Sequence, residues 1–106
     1  MTRESDGPAV AQLDLGAVLS ALADPHRRRI VTELVTAPED IERSCSSFRA
    51  PVSKSTMTHH FKVLSDSGLI RTTDYGNRKG VTLRRTDLNT RFPGLLTLLA
   101  SEATPG

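Results

Sequence analysis

The chain has 106 residues with 14 Lys+Arg against 12 Asp+Glu, a formal net charge of +2, which is sequence for one domain. Apolar residues make up 37%, below the usual ~45–50%, so the core is thin and a partner subunit would help to cover it. The single cysteine excludes an internal disulfide framework and an all-cysteine zinc site, and the most apolar run, Leu95-Leu96-Thr97-Leu98-Leu99, falls far short of the ~18 residues of a membrane span.

Residues 1–12 are polar and contain Gly7-Pro8, which predicts a flexible N-terminal tail. They hold no apolar core behind a basic start, so no secretory signal is expected and the reducing cytoplasm is the expected compartment. Leu15, Val18, Leu19 and Leu22 then recur at i, i+3, i+4, i+7, one apolar stripe of a helix that Asp14 caps. Asp24 suits the N-cap of a second helix. Pro25 suits its first position, where the missing N–H is no loss, and Ile30, Val31 and Leu34 face the core up to Thr36-Ala37-Pro38. The acids of Glu39-Asp40-Ile41-Glu42 suit the first turn of a third helix over 39–47, with Ile41, Cys45 and Phe48 on one core-facing side.

Ala50-Pro51 breaks the chain. Ser53 caps a fourth helix over 54–66, and Gly68 supplies its left-handed stop, with Leu69 folding back on Leu64. The period then changes to that of two short strands, 70–75 and 80–84, joined by the charged turn Gly76-Asn77-Arg78-Lys79. Phe92, Leu95, Leu96 and Leu99 give a last helical stripe, with a short helical turn opened by Thr86-Asp87 before it. The predicted fold is mainly α with a small β-hairpin wing, α-α-α-α-β-β-α. Residues 13–102 form the folded unit and 103–106 a C-terminal tail.

Charge is segregated along this order. Residues 1–46 hold five basic and eight acidic side chains, whereas 49–85 hold eight basic ones (Arg49, Lys54, Lys62, Arg71, Arg78, Lys79, Arg84, Arg85) against Asp66 and Asp74. A basic half on a near-neutral chain suits a polyanion. At about 100° per residue, Met57, Phe61 and Leu64 share one face of helix 54–66, with His60 beside them as a packing residue. Ser55, His59 and Lys62, flanked by Thr58, share the other, which carries no acid before Asp66. Alone, such a face is ordinarily a solvated one. Followed directly by a hairpin with Arg78 and Lys79 at its turn, it has the order of a helix that reads a major groove and a wing that holds the flanking backbone or minor groove. The free N–H groups at 53–56 add a place for a phosphate.

The run Leu22-Ala23-Asp24-Pro25-His26-Arg27-Arg28-Arg29-Ile30 resembles the opening of ArsR-type bacterial repressors. So do Ser53-Lys54-Ser55-Thr56-Met57-Thr58-His59-His60-Phe61-Lys62-Val63-Leu64 and the stop Ser67-Gly68-Leu69-Ile70. The similarity covers roughly residues 13–102. It implies a dimeric winged helix-turn-helix repressor that binds duplex DNA, in which Lys54, Ser55, Thr58 and His59 match the groove-contacting positions and Arg78 and Lys79 the wing. It also implies a homodimer through the first and last helices, whose apolar residues are Leu15, Val18, Leu19, Leu22, Leu95, Leu96 and Leu99.

Many members of that family sense metals, but this chain departs from their sites. The stretch 33–41 has no cysteine pair, and 87–102 has Asp87 and Glu102 without histidine. Cys45, His26, His59 and His60 are too few and too scattered for a zinc or arsenic site, so no metal and no cofactor is expected. Cys45 is read as a small packing residue, with a metal- or redox-responsive repressor as an alternative and an unidentified non-metal inducer left open. No nucleophile elbow or phosphate loop supports an enzyme. The remaining rival is a winged-helix module that binds protein or RNA. For Arg27, Arg28 and Arg29, at least one is expected to pair with a neighbouring acid.

Overall fold

Three side-chain oxygens open the helices as the sequence predicts. In the computed structural model, which describes residues 3–5 and 7–103, Asp14 accepts from the Ala17 N–H at 2.9 Å and starts α1 (Leu15–Ala23). Asp24 accepts from the N–H groups of His26 and Arg27 at 2.8 and 3.1 Å and starts α2 (Pro25–Thr36), with Pro25 in the first turn. Ser53 accepts from Thr56 at 3.1 Å and starts α3 (Lys54–Asp66). Gly68 ends α3 in the left-handed region, at φ 87°. The Leu69 N–H returns to the Leu64 carbonyl and the Gly68 N–H to that of Ser65, the paired bonds of a Schellman stop. Leu64 and Leu69 are both fully buried.

The hairpin follows as β3 (Ile70–Asp74) and β4 (Lys79–Leu83), antiparallel, with Ile70 opposite Leu83 and Asp74 opposite Lys79. Lys79 is thus the first rung of the ladder and not part of the turn. The turn is 75–78, closed by the Tyr75 N–H on the Arg78 carbonyl at 2.9 Å. Two further strands complete an antiparallel sheet in the order β1-β3-β4-β2, where β1 is Arg3–Ser5 and β2 is Arg43–Ser44. Within residues 1–12, read from sequence as a tail, Arg3–Ser5 therefore pairs with β3 and Val10–Gln12 forms a 3-10 turn. Met1, Thr2 and Asp6, and residues 104–106 of the C-terminal tail, lie outside the described residues.

The predicted helix over 39–47 is not formed. Residues 40–42 have no regular secondary structure, β2 pairs with β4, and only Cys45–Ser47 makes a single 3-10 turn. The serines explain the local part. Ser44 accepts from the Ser46 N–H at 3.4 Å, and the Ser47 hydroxyl donates to the Ser44 carbonyl at 2.7 Å, so side chains take the backbone partners a helix would need. The acids of the expected first turn reach across the molecule instead. Asp40 accepts from Arg85 at 2.8 Å and Glu42 from Tyr75 at 2.8 Å. Ile41 does not join Phe48 in the core and is 62% exposed.

Two helices, not one, follow the hairpin: α4 (Arg85–Arg91) and α5 (Leu95–Ala103), separated by Gly94 at φ 92°. The described residues thus hold five α-helices and a small sheet. The core gathers Val18, Ile30, Val31, Leu34, Phe61, Leu64, Leu69, Ile70, Val81, Leu88, Leu96 and Leu99 from all of these elements.

Candidate nucleic-acid interface

Helix α3 is anchored from behind. Phe61 and Leu64 are buried, Met57 is half-buried against the core, and the Phe61 ring meets Phe48 edge-on at 5.6 Å between centroids. The opposite face carries Ser55, His59 and Lys62, flanked by Thr58, and Lys54 stands in the first turn; all five are exposed. Their local bonds are weak and releasable. The Ser55 hydroxyl lies 3.1 Å from that of Ser53, and Thr58 donates back to the Lys54 carbonyl at 3.1 Å, leaving its lone pairs outward. Lys62 meets Asp66 at 3.1 Å in a largely exposed i,i+4 pair, a kind worth roughly 0.3–0.5 kcal/mol. Arg78 and Lys79 are exposed on the hairpin beside this face. A cleft of about 580 Å³ separates the two, lined by Lys54 and Thr58 on one side and by Asn77, Arg78 and Lys79 on the other.

Arg49 is exposed like these, but the other three cations of the basic half are not available in the same way. Arg84 is 4% exposed, donates to the Pro8 carbonyl at 2.7 Å and meets Asp87 at 3.0 Å. Arg71 reaches the same carboxylate at 3.8 Å. Arg85 donates to Asp40 and to the carbonyls of Leu34 and Val35 at the end of α2. The charge segregation read from sequence therefore overstates the polyanion-facing charge, because three of its eight cations hold the fold together.

Arg27 and Arg28 turn back on the preceding helix. Arg27 donates to the Ala21 carbonyl at 2.8 Å and Arg28 to that of Leu22 at 2.9 Å, and Arg28 meets Glu102 at 3.6 Å. These cations oppose the dipole of α2 but complement the carbonyl end of α1. Arg29 is exposed.

His60 is 5% exposed and its Nδ1 lies 3.4 Å from the Arg27 guanidinium, while Nε2 has no partner. Arg27 has only donors, so Nδ1 accepts and the ring is neutral. Burial, reinforced by the charges of Arg27, His26 and His59 and opposed by Asp24, holds its pKa below the ordinary histidine value. Burial acts to raise the Asp24 carboxyl, but the N–H groups it caps, with the charge of Arg27, carry it below its ordinary value. Burial pushes the Cys45 thiol up, which disfavours the reactive thiolate.

The apolar stripes of the first and last helices divide. Val18, Leu22, Leu96 and Leu99 are buried in this chain's own core and Leu95 is half-buried, so they do not line an open surface. Leu15 and Leu19 are 47% and 51% exposed, as is Leu98 at 66%, a residue the spacing argument passes over. Among the described residues no group of three or more His, Cys, Asp or Glu could hold a metal ion, and no helix is long and apolar enough to cross a membrane.

An outward cationic helix seated on a helical core and followed by a charged hairpin defines a winged helix-turn-helix domain. Comparison with known proteins agrees. A helix-turn-helix domain family matches residues 22–73. A protein of Bacillus subtilis (strain 168), described as the uncharacterized HTH-type transcriptional regulator YceK, is 29% identical over 97 residues, 92% of each chain. The solved structure of an ArsR-like transcriptional regulator from Rhodococcus sp. RHA1 matches with a TM-score of 0.59 at 28% identity, covering 84% of this chain and 82% of that one. These matches support an ArsR-type helix-turn-helix transcriptional regulator, a class that is not enzymatic.

Proposed function

We propose that the protein is a homodimeric repressor that binds a palindromic operator in cytoplasmic DNA. The observation that carries this reading is the outward set Lys54, Ser55, Thr58, His59 and Lys62 on α3, beside Arg78 and Lys79 of the wing. Short donors at the start of a helix suit base edges and phosphates in the major groove. Lys54 reaches a phosphate or a guanine edge, Ser55 and Thr58 make close contacts, His59 donates to a phosphate, Lys62 sits on the backbone rim, and the wing grips flanking backbone. The unit 13–102 serves both DNA binding and dimerisation. Exposed Leu15, Leu19 and Leu98 supply the apolar surface for a two-fold contact. It sets the two copies of α3 about 34 Å apart, one turn of DNA, or a multiple.

The test is the double variant Ser55→Ala, His59→Ala on a promoter fragment retained by the wild-type protein. Specific binding should be lost with helical content and oligomeric state unchanged, and undiminished affinity would overturn the assignment. Log affinity for duplex DNA should fall steeply with log salt. A flat dependence, or preference for single-stranded RNA, would favour a module for another partner.

A further inference from the structure

Arg78, the outermost cation of the wing, is already engaged. Its guanidinium lies 4.0 Å from the centroid of the Tyr75 ring, and one of its nitrogens is 3.3 Å from a Glu42 carboxylate oxygen. The Tyr75 hydroxyl donates to the same carboxylate, 2.8 Å from each oxygen. Glu42 immediately precedes β2, more than thirty residues away in sequence. Its seat is shaped for it, since a side chain on Gly80 would run into the Glu42 carboxyl. The Arg78 side chain is still 51% exposed and that of Glu42 27% exposed, so the pair is open to solvent. A carboxylate that accepts from an arginine and a phenol presents the same chemistry as a phosphate oxygen.

We propose that Glu42 is an internal stand-in for a DNA phosphate: it holds and neutralises Arg78 in the free protein, and a backbone phosphate must displace it for the wing to grip. Glu42 is thus a positioning and charge-setting residue for DNA binding. The inference rests on the wing contacting DNA, as read above. An exposed ion pair is weak enough to be exchanged, but while it persists it removes one cation from the wing's effective charge. Each effective phosphate contact changes the slope of log affinity against log salt by about 0.9.

The test compares wild-type protein with Glu42→Gln, Arg78→Ala and the double variant on a duplex of random sequence, between about 50 and 200 mM salt. Glu42→Gln should bind more tightly at the low-salt end. Its salt slope should be steeper by about 0.9 per wing, roughly a 3.5-fold larger loss of affinity across that range. Arg78→Ala should abolish the gain. The clasp itself has a separate reporter, because Tyr75 is the only tyrosine and there is no tryptophan. The hydrogen bond to Glu42 raises the Tyr75 phenol above its ordinary value of about 10, and its ultraviolet titration should move down in Glu42→Gln. An unmoved titration overturns the clasp. A moved titration with unchanged slope, while Arg78→Ala still weakens binding, overturns its role in DNA binding. If Arg78→Ala changes nothing in either background, the wing reading fails and the proposal with it.

Discussion

His60 shows how one side chain is fixed from two directions. The helical stripe of α3 places it beside Phe61 and Leu64, and the N-terminus of α2 brings Arg27 to its Nδ1 at 3.4 Å. A second proton on the ring would face a cation in a buried site, so the native pKa is lowered, first by burial. The sign of the linkage follows. Above about pH 6.5, the ordinary value, both states are neutral and the native contact is fully present. As pH falls below that value the unfolded chain takes up a proton first, and stability drops until the native pKa is passed. We expect urea stability to decline between pH 7 and 5 more steeply in the wild type than in His60→Gln. The difference should be at most about 1.4 kcal/mol per pH unit. Parallel profiles for the two proteins would show that His60 is not the group responsible.

At the scale of elements, helix ends with a local chemical cause were legible. Asp14, Asp24 and Ser53 each bond N–H groups within three residues, and Gly68 takes the left-handed turn that only glycine adopts freely. A side chain at position 68 would also strike Leu13 and crowd Arg84 and Pro8. Gly68→Ala should therefore cost at least about 1 kcal/mol in the backbone conformation alone, with more from the displaced Leu13, read as a lower urea midpoint. The segment 39–47 was misread because its determinants are remote. Asp40 is satisfied by Arg85 and Glu42 by Tyr75 and Arg78, and none of those partners is visible in a local window. The acids that suit a first helical turn also suit an extended edge with cations opposite. The wing hairpin was legible from its alternation and its Gly76 turn, although Lys79 proved to belong to the strand.

For the whole molecule, burial redistributes residues that look equivalent along the chain. Val18 and Leu22 are enclosed by the protomer while Leu15 and Leu19 of the same stripe face outward. If those outward leucines mediate self-association, Leu19→Glu should give a monomer by sedimentation while keeping its helical signal, and should lose the steep salt dependence of a two-site contact with DNA. A dimer of undiminished stability would move the interface elsewhere.

Sequence alone determined the class of this protein. The caps, the stop at Gly68, the two-sided pattern of α3 and the hairpin after it are short-range features, set by hydrogen bonds and periodicity within a few residues. Only the tertiary structure decided which cations remain for a polyanion and which leucines remain for a partner. Arg71 and Arg85 look as free as Lys54 and Lys79 until carboxylates and carbonyls from distant segments close on them, and Arg84, beside Asp87 in sequence, is enclosed only by the distant Pro8 carbonyl, because a contact across the fold depends on distance in space and carries no trace in the local order of residues.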